Sequence, residues 1–198
     1  MPAARRLARI SVEDYLAGEL VSSVKHEFVD GIVYAMAGAR NQHNRIAVNA
    51  IGSLHSQLRG QTCEVFNSDT KVRIRQGHSL KFYYPDASVV CDSNTDEESY
   101  QDRPIVIVEV LSKSTRRIDE AEKRDAYLSI PSLAAYLLIE LETPDVAVYR
   151  HSKSGFAHEE YSGLEAVIAL PEIGISLPLA EIYSRVEFSP EPELTSDE

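Results

Sequence analysis

The chain lacks tryptophan and has only two cysteines, Cys63 and Cys91, among its 198 residues. The two cysteines form no CxxC pair, so the sequence predicts neither a zinc site nor a disulfide framework. A reducing cytoplasm is therefore the expected compartment. The absence of tryptophan removes the best aromatic platform for a sugar, which weakens any reading as a glycosidase.

Long apolar runs are also missing. No segment approaches the ~18 apolar residues of a membrane span. The N-terminal residues are basic, but Glu13 and Asp14 follow before the apolar core of a secretory signal could form. A glycine-rich phosphate loop, a GxSxG elbow and a Cys/His dyad are absent as well, which argues against NTPases and serine or cysteine hydrolases.

Positive charge is scarce. The chain has 20 Lys and Arg against 31 Asp and Glu, a net charge of −11. A protein that coats nucleic acid neutralises phosphates with many bases, so this class is disfavoured. Any nucleic-acid binding must rely on a local basic face and on a metal ion.

The length of 198 residues suits one well-packed domain. We expect a flexible N-terminus over 1–10, a single domain over 11–188 and an acidic disordered tail over 189–198. Hydrophobic periodicity predicts the α/β class, with a central mixed β-sheet flanked by helices and additional β-hairpins. The predicted helices cover 11–18, 41–59 and 115–130, the predicted hairpin covers 26–36, and the predicted strands cover 64–67, 71–75, 82–91, 105–111, 134–141 and 146–151.

Two carboxylates stand out in the predicted strands. Asp86 follows Pro85 at the entrance to an apolar strand, and Glu109 interrupts the apolar run at 104–111. An acid in such a run loses hydration, so a fold keeps it only if something pairs with it. A hard cation such as Mg²⁺, with Mn²⁺ as a substitute, is the natural partner for two carboxylates.

Four stretches of the sequence together resemble a known family. They are His26-Glu27-Phe28-Val29-Asp30-Gly31; Tyr84-Pro85-Asp86-Ala87-Ser88-Val89-Val90; Val108-Glu109-Val110-Leu111-Ser112 with Ser114-Thr115; and Asp119 with Lys123 and Tyr127. In this order they resemble the Uma-type restriction-endonuclease branch of the PD-(D/E)XK nuclease superfamily. The resemblance implies a restriction-endonuclease-like fold in which Asp86 and Glu109 hold Mg²⁺ and a lysine assists the attacking water.

The position of that lysine departs from the superfamily pattern. Leu111 stands where the lysine usually follows the second acid, and Lys113 lies beyond the predicted strand end. Lys123 matches the position, on the following helix, that the branch usually gives its lysine. Helical spacing places Lys123 on a stripe with Ala126 and Ile130, and this stripe is predicted to face the sheet. A surface pair between Asp119 and Lys123 is the alternative.

Further residues complete the candidate site. The resemblance implies that Glu27 assists as a metal or structural ligand. His43 begins the long predicted helix, where it either satisfies the helix start or contacts the scissile phosphate. Other possible phosphate or nucleic-acid contacts are Lys71, Arg73, Arg75, Ser112 and Arg116. Lys71, Arg73 and Arg75 alternate with apolar residues, so they share one strand face, which is either a solvated surface or part of a DNA-binding face.

These observations predict a Mg²⁺-dependent phosphodiesterase, with a DNA endonuclease of restriction-enzyme type as the specific expectation. Double-stranded DNA is the expected partner, and the resemblance implies a homodimer. Asp86, Glu109, Lys123 and Glu27 are the predicted catalytic residues. A degenerate nuclease-fold domain that binds nucleic acid or a partner protein is the alternative, favoured by Leu111. A glycosidase-like carboxylate pair is a weaker third reading.

Overall fold

Helices and strands alternate along the chain in a computed structural model that describes residues 9–112 and 118–188, without the side chains of 118–120. Within these residues the strands form a six-stranded sheet, a five-stranded sheet and a two-stranded ribbon. The strands are β1 His26–Val29, β2 Ile32–Ala35, β3 Glu64–Asn67, β4 Lys71–Gln76, β5 Ser79–Tyr83, β6 Ala87–Val90, β7 Tyr100–Gln101, β8 Pro104–Val110, β9 Ala135–Ile139, β10 Asp145–Ser152, β11 Gly155–Ser162, β12 Val167–Leu170 and β13 Ile175–Pro178. The helices are α1 Val12–Glu19, α2 Asn41–Leu58, a π-helix Ile118–Lys123, α3 Arg124–Tyr127 and α4 Leu179–Ile182.

The six-stranded sheet is the centre of the fold, in the order β11-β10-β9-β8-β6-β3. It is mixed, because β8 and β9 run parallel whereas β6 and β8 run antiparallel. Residues of α2 such as Ile46, Ala50 and Leu54 pack on one face of it. The predicted α/β class, with a central mixed sheet flanked by helices, is confirmed. No helix within the described ranges is long and apolar enough to cross a bilayer.

The five-stranded sheet, in the order β2-β1-β5-β4-β7, packs against the other face. A second apolar cluster joins Val72 and Tyr83 of this sheet to Ile107 and Tyr136 of the central sheet, with Tyr127 of α3 among them. β1 and β2 of this sheet form the hairpin that was predicted around Asp30-Gly31. Both turn residues have positive φ, +50° and +92°, as the two-residue hairpin turn requires.

Two predicted elements are wrong in detail. The strand predicted over 82–91 is broken at Pro85, so that β5 belongs to one sheet and β6 to the other. Proline has no N–H for a sheet ladder, which makes it a natural point for the chain to change sheets. The helix predicted over 115–130 is a π-helix followed by the four-residue α3, and its first residues, 115–117, lie outside the described part.

The expectation of no disulfide is also wrong. Cys63 and Cys91 are bonded to each other. They lie one position beyond the ladder between β3 and β6, in which Glu64 pairs with Val90. The two cysteines are 28 residues apart in sequence and become cross-strand neighbours only through this register.

We expect reduction of this disulfide to lower the melting temperature. Closing a loop between residues 28 apart contributes about 3 kcal/mol through the entropy of the unfolded chain. For a chain of this size that corresponds to a shift of about 10 °C. Thermal unfolding with and without dithiothreitol measures it, and Cys63→Ser/Cys91→Ser should melt low in both conditions. An unchanged melting temperature in reductant would contradict the stabilising role.

Candidate active site

Asp86 directly precedes β6, and Glu109 is the second-last residue of β8, so both lie at the same end of this pair of strands. The ladder pairs Ala87 with Val108, so extending it by one position places Asp86 opposite Glu109. Side chains at opposed positions of an antiparallel pair are close neighbours on one face. The backbone N–H of Val110 donates to Oδ2 of Asp86 at 2.7 Å, which ties this carboxylate to β8.

His43 approaches the same carboxylate from the first turn of α2. Its Nε2 lies 3.3 Å from Oδ2 of Asp86, and both side chains are largely buried. Burial lowers the pKa of the imidazole, but the hydrogen bond and the negative charge of Asp86 raise it by more, so the pKa lies above its usual value. Nδ1 of His43 is buried without a hydrogen-bond partner among the described residues.

Glu109 is buried to 4% exposure in the middle of the fold, and two donors from one helical turn reach it. Nζ of Lys123 lies 3.4 Å from Oε1 of Glu109, and the hydroxyl of Tyr127 donates to the same oxygen at 3.1 Å. Lys123 ends the π-helix and is itself 6% exposed. Its ammonium also lies over the ring of Tyr83, 5.6 Å from the centroid.

Glu27 supplies a second acid to the same ammonium. Its Oε1 lies 2.9 Å from Nζ of Lys123, closer than Glu109, although the alignment is that of an ion pair and not of a hydrogen bond. Glu27 belongs to β1 of the five-stranded sheet, whereas Glu109 belongs to the central sheet. Lys123 therefore bridges the two sheets through their carboxylates.

The donor chemistry at this site fits a hard divalent cation. Three carboxylates (Glu27, Asp86 and Glu109) are accompanied by one lysine and one histidine, so negative charge is in excess even when His43 is protonated. The contacts of Asp86 with described residues involve Oδ2, and none of them involves Oδ1. Among the described residues no group of three or more acids, histidines or cysteines is arranged to hold a metal by itself. Magnesium commonly uses one or two carboxylates and completes its shell with water and phosphate.

Two of the predicted phosphate contacts, Lys71 and Arg73, bind other side chains of the protein instead. Lys71 is 4% exposed and donates to the hydroxyl of Tyr84, and burial lowers its pKa although Glu19 opposes the shift. Arg73 makes two 2.6 Å bonds to Asp102 and lies over the ring of Tyr100. That face is therefore solvated only in part, because Lys71 and Arg73 at one end of β4 pack against other residues of the protein. Arg75 is exposed.

The other predicted residues lie near the end of β8 or outside the described residues. Ser112 is half-buried just after β8. Arg116 and the side chain of Asp119 lie outside the described residues, and so does Lys113. Leu111, at the superfamily's usual lysine position, is 2% exposed and packs with Tyr127 and Ile107 in the second apolar cluster. A lysine at 111 would point into that core, so the ammonium of this site comes from the helix instead.

Comparison with known proteins identifies the family of this chain. The family model Uma2, described as "Putative restriction endonuclease", matches residues 12–180. The chain belongs to the Uma2 family. Membership supports a nuclease-type function for this Uma2 protein.

The Uma2 chain has relatives along most of its length. It is 33% identical to the uncharacterized protein slr1290 of Synechocystis sp. over 183 residues, which are 91% of this chain and 94% of that protein. It is 32% identical to the uncharacterized protein sll1609 of the same organism over 134 residues, 66% of this chain and 75% of that protein. A crystal structure described as a putative nuclease belonging to DUF820 from Anabaena variabilis superposes with a TM-score of 0.66, at 17% identity, over 82% of this chain and 92% of that one. This structural likeness supports the fold alone.

Tyr127 bonds to Glu109, although the sequence predicted no role for it in the site. It was visible as part of the family pattern, four residues after Lys123. Positions i and i+4 of a helix share one face, so a polar atom on Tyr127 could have been expected near the target of Lys123. Tyr83 carried no such signal, because its contact with Lys123 depends on how the two sheets pack.

Proposed function

We propose that this Uma2 protein is a divalent-metal-dependent endonuclease that hydrolyses phosphodiester bonds of double-stranded DNA. The observation that carries the proposal is that Asp86 directly precedes β6 at the end where the ladder pairs Ala87 with Val108, the neighbour of Glu109, and that the ammonium of Lys123 lies 3.4 Å from Glu109. Asp86 and Glu109 would form the cation site, and the buried ammonium of Lys123 beside Glu109 would supply a donor to a phosphate or a water molecule. Mg²⁺ is the proposed cofactor, and Mn²⁺ should substitute for it.

Asp86 and Glu109 would hold the cation. When bound, it would polarise the scissile phosphate and lower the pKa of the attacking water. The Val110 amide fixes the Asp86 carboxylate through Oδ2, so Oδ1 is the oxygen that can serve as ligand. His43 contacts the same oxygen, Oδ2, so it would also limit the movement of that carboxylate, and it adds an imidazole next to Asp86.

Lys123 would orient the attacking water or stabilise the charge that develops on the phosphate. Such donors are effective where water is excluded, and Lys123 is 6% exposed. Glu27 would act through Lys123: its carboxylate pairs with the buried ammonium and holds it beside Glu109. A homodimer would present two such sites to the two strands of a duplex.

The test is cleavage of supercoiled plasmid DNA by the purified protein. We expect nicked and linear products with Mg²⁺ or Mn²⁺ and none with EDTA, because the carboxylates alone provide no Lewis acid. Glu109→Gln, purified in parallel, controls for contaminating nucleases. If the wild-type protein binds Mn²⁺ but cleaves neither DNA nor RNA, the fold serves as a binding domain and the endonuclease proposal is wrong.

A further inference from the structure

The phenol of Tyr127 is fully buried, yet its hydroxyl is directed at a carboxylate instead of a backbone carbonyl. Its ring lies between Tyr83 and Tyr136, with centroid distances of 5.7 and 5.3 Å. Its hydroxyl donates to Oε1 of Glu109 at 3.1 Å. A carboxylate has no proton to give, so the direction of this hydrogen bond is fixed.

Two donors therefore meet at one oxygen of Glu109. Lys123 and Tyr127 are four residues apart across the junction of the π-helix and α3, and both reach Oε1. Donors on one oxygen restrict the rotation of the carboxylate about its last bond. Burial raises the pKa of the Tyr127 phenol well above its ordinary value, and the charge of Glu109 adds to the shift.

We propose that Tyr127 is a positioning residue for the metal site: its hydroxyl holds Oε1 of Glu109 and thereby sets the orientation in which this carboxylate binds a divalent cation together with Asp86. The inference rests on the proposed function, because it assumes that Glu109 is a ligand. Groups that hydrogen-bond to ligating carboxylates orient them, and losing such a group commonly costs about 10- to 100-fold in metal affinity or activity.

Tyr83 provides a control that distinguishes a positioning role of the Tyr127 hydroxyl from packing of its ring. Tyr83 belongs to the same cluster and is buried, with its ring edge-to-face on Tyr127. Its hydroxyl makes no hydrogen bond to a described residue, whereas that of Tyr127 does. Replacing either tyrosine with phenylalanine therefore perturbs the same aromatic cluster. Only the replacement of Tyr127 also removes a hydrogen bond to Glu109.

The experiment compares Tyr127→Phe and Tyr83→Phe with the wild type. Calorimetric titration with Mn²⁺ measures the affinity of each protein, and thermal unfolding without metal measures its stability. We expect Tyr127→Phe to bind Mn²⁺ about 10- to 100-fold more weakly, and Tyr83→Phe to bind as the wild type does. If Tyr127→Phe is too unstable for calorimetry, the rise of its melting temperature with Mn²⁺ concentration gives the same affinity by linkage.

The outcomes are distinct. Weaker Mn²⁺ binding in Tyr127→Phe alone supports the positioning role. A lower metal-free melting temperature with unchanged Mn²⁺ affinity shows that Tyr127 only packs, and overturns the inference while leaving the proposed function intact. Equal loss of affinity in both variants also overturns it, because the aromatic packing then matters and not the hydroxyl. A wild-type protein that binds no Mn²⁺ overturns both the inference and the proposed metal site.

Discussion

Replacing Lys123 with methionine should reduce DNA cleavage about 10²- to 10³-fold, the usual cost of losing one electrostatic contact in a water-poor site. The unbranched methionine side chain keeps most of the volume of the lysine stem, which is buried between the two sheets. Metal binding should survive, since a charged lysine has only donors and cannot be a ligand. Plasmid cleavage rates in Mn²⁺ buffer, with calorimetry on the same samples, measure both effects.

Lys153 is the matched control. It is exposed in the turn between β10 and β11, so Lys153→Met removes the same charge away from the site. Its cleavage rate should equal that of the wild type.

Lys113→Ala tests the other candidate lysine. Full activity in Lys123→Met together with loss in Lys113→Ala would show that the helix lysine is the wrong one.

Replacing Asp86 with asparagine should weaken Mn²⁺ binding by at least about 10-fold, because removing a ligand costs no less than removing a group that orients one. The fold should remain intact. An asparagine oxygen can still accept the hydrogen bond from Val110, and the substitution removes one of two like charges at opposed positions. Titration calorimetry gives the affinity, and thermal unfolding without metal gives the stability.

Asp96→Asn controls for the change in net charge, because Asp96 is exposed in the loop before β7. This variant should bind Mn²⁺ as the wild type does. Equal affinity in Asp86→Asn and the wild type would remove Asp86 from the metal site and leave its contacts with Val110 and His43 as purely structural ones.

Local chemistry made several parts of the fold predictable. Asp30-Gly31 predicted a hairpin because few residues other than Gly, Asn and Asp accept positive φ at both turn positions. The spacing of Ile46, Ala50 and Leu54 predicted α2, which the structure places at Asn41–Leu58. Ser11 predicted the start of α1, and its side chain accepts a hydrogen bond from the backbone N–H of Asp14.

The basic strand shows where such patterns fail. Alternation correctly placed Lys71, Arg73 and Arg75 on the face opposite Val72 and Ile74. It could not show what covers that face. Tyr84, Tyr100 and Asp102 do so, and they come from other parts of the chain.

The sequence by itself determined that one acid lies in an apolar strand and another at the entrance to one, and that a lysine lies on a sheet-facing helical stripe, because hydration and periodicity are local properties. Only the tertiary structure decided that Asp86 and Glu109 lie at the same end of neighbouring strands, that Glu27 shares Lys123 with Glu109, and that Cys63 meets Cys91. These contacts depend on strand register and on the packing of one sheet against another. Register and packing join residues far apart in the chain, and no short stretch of sequence contains that information.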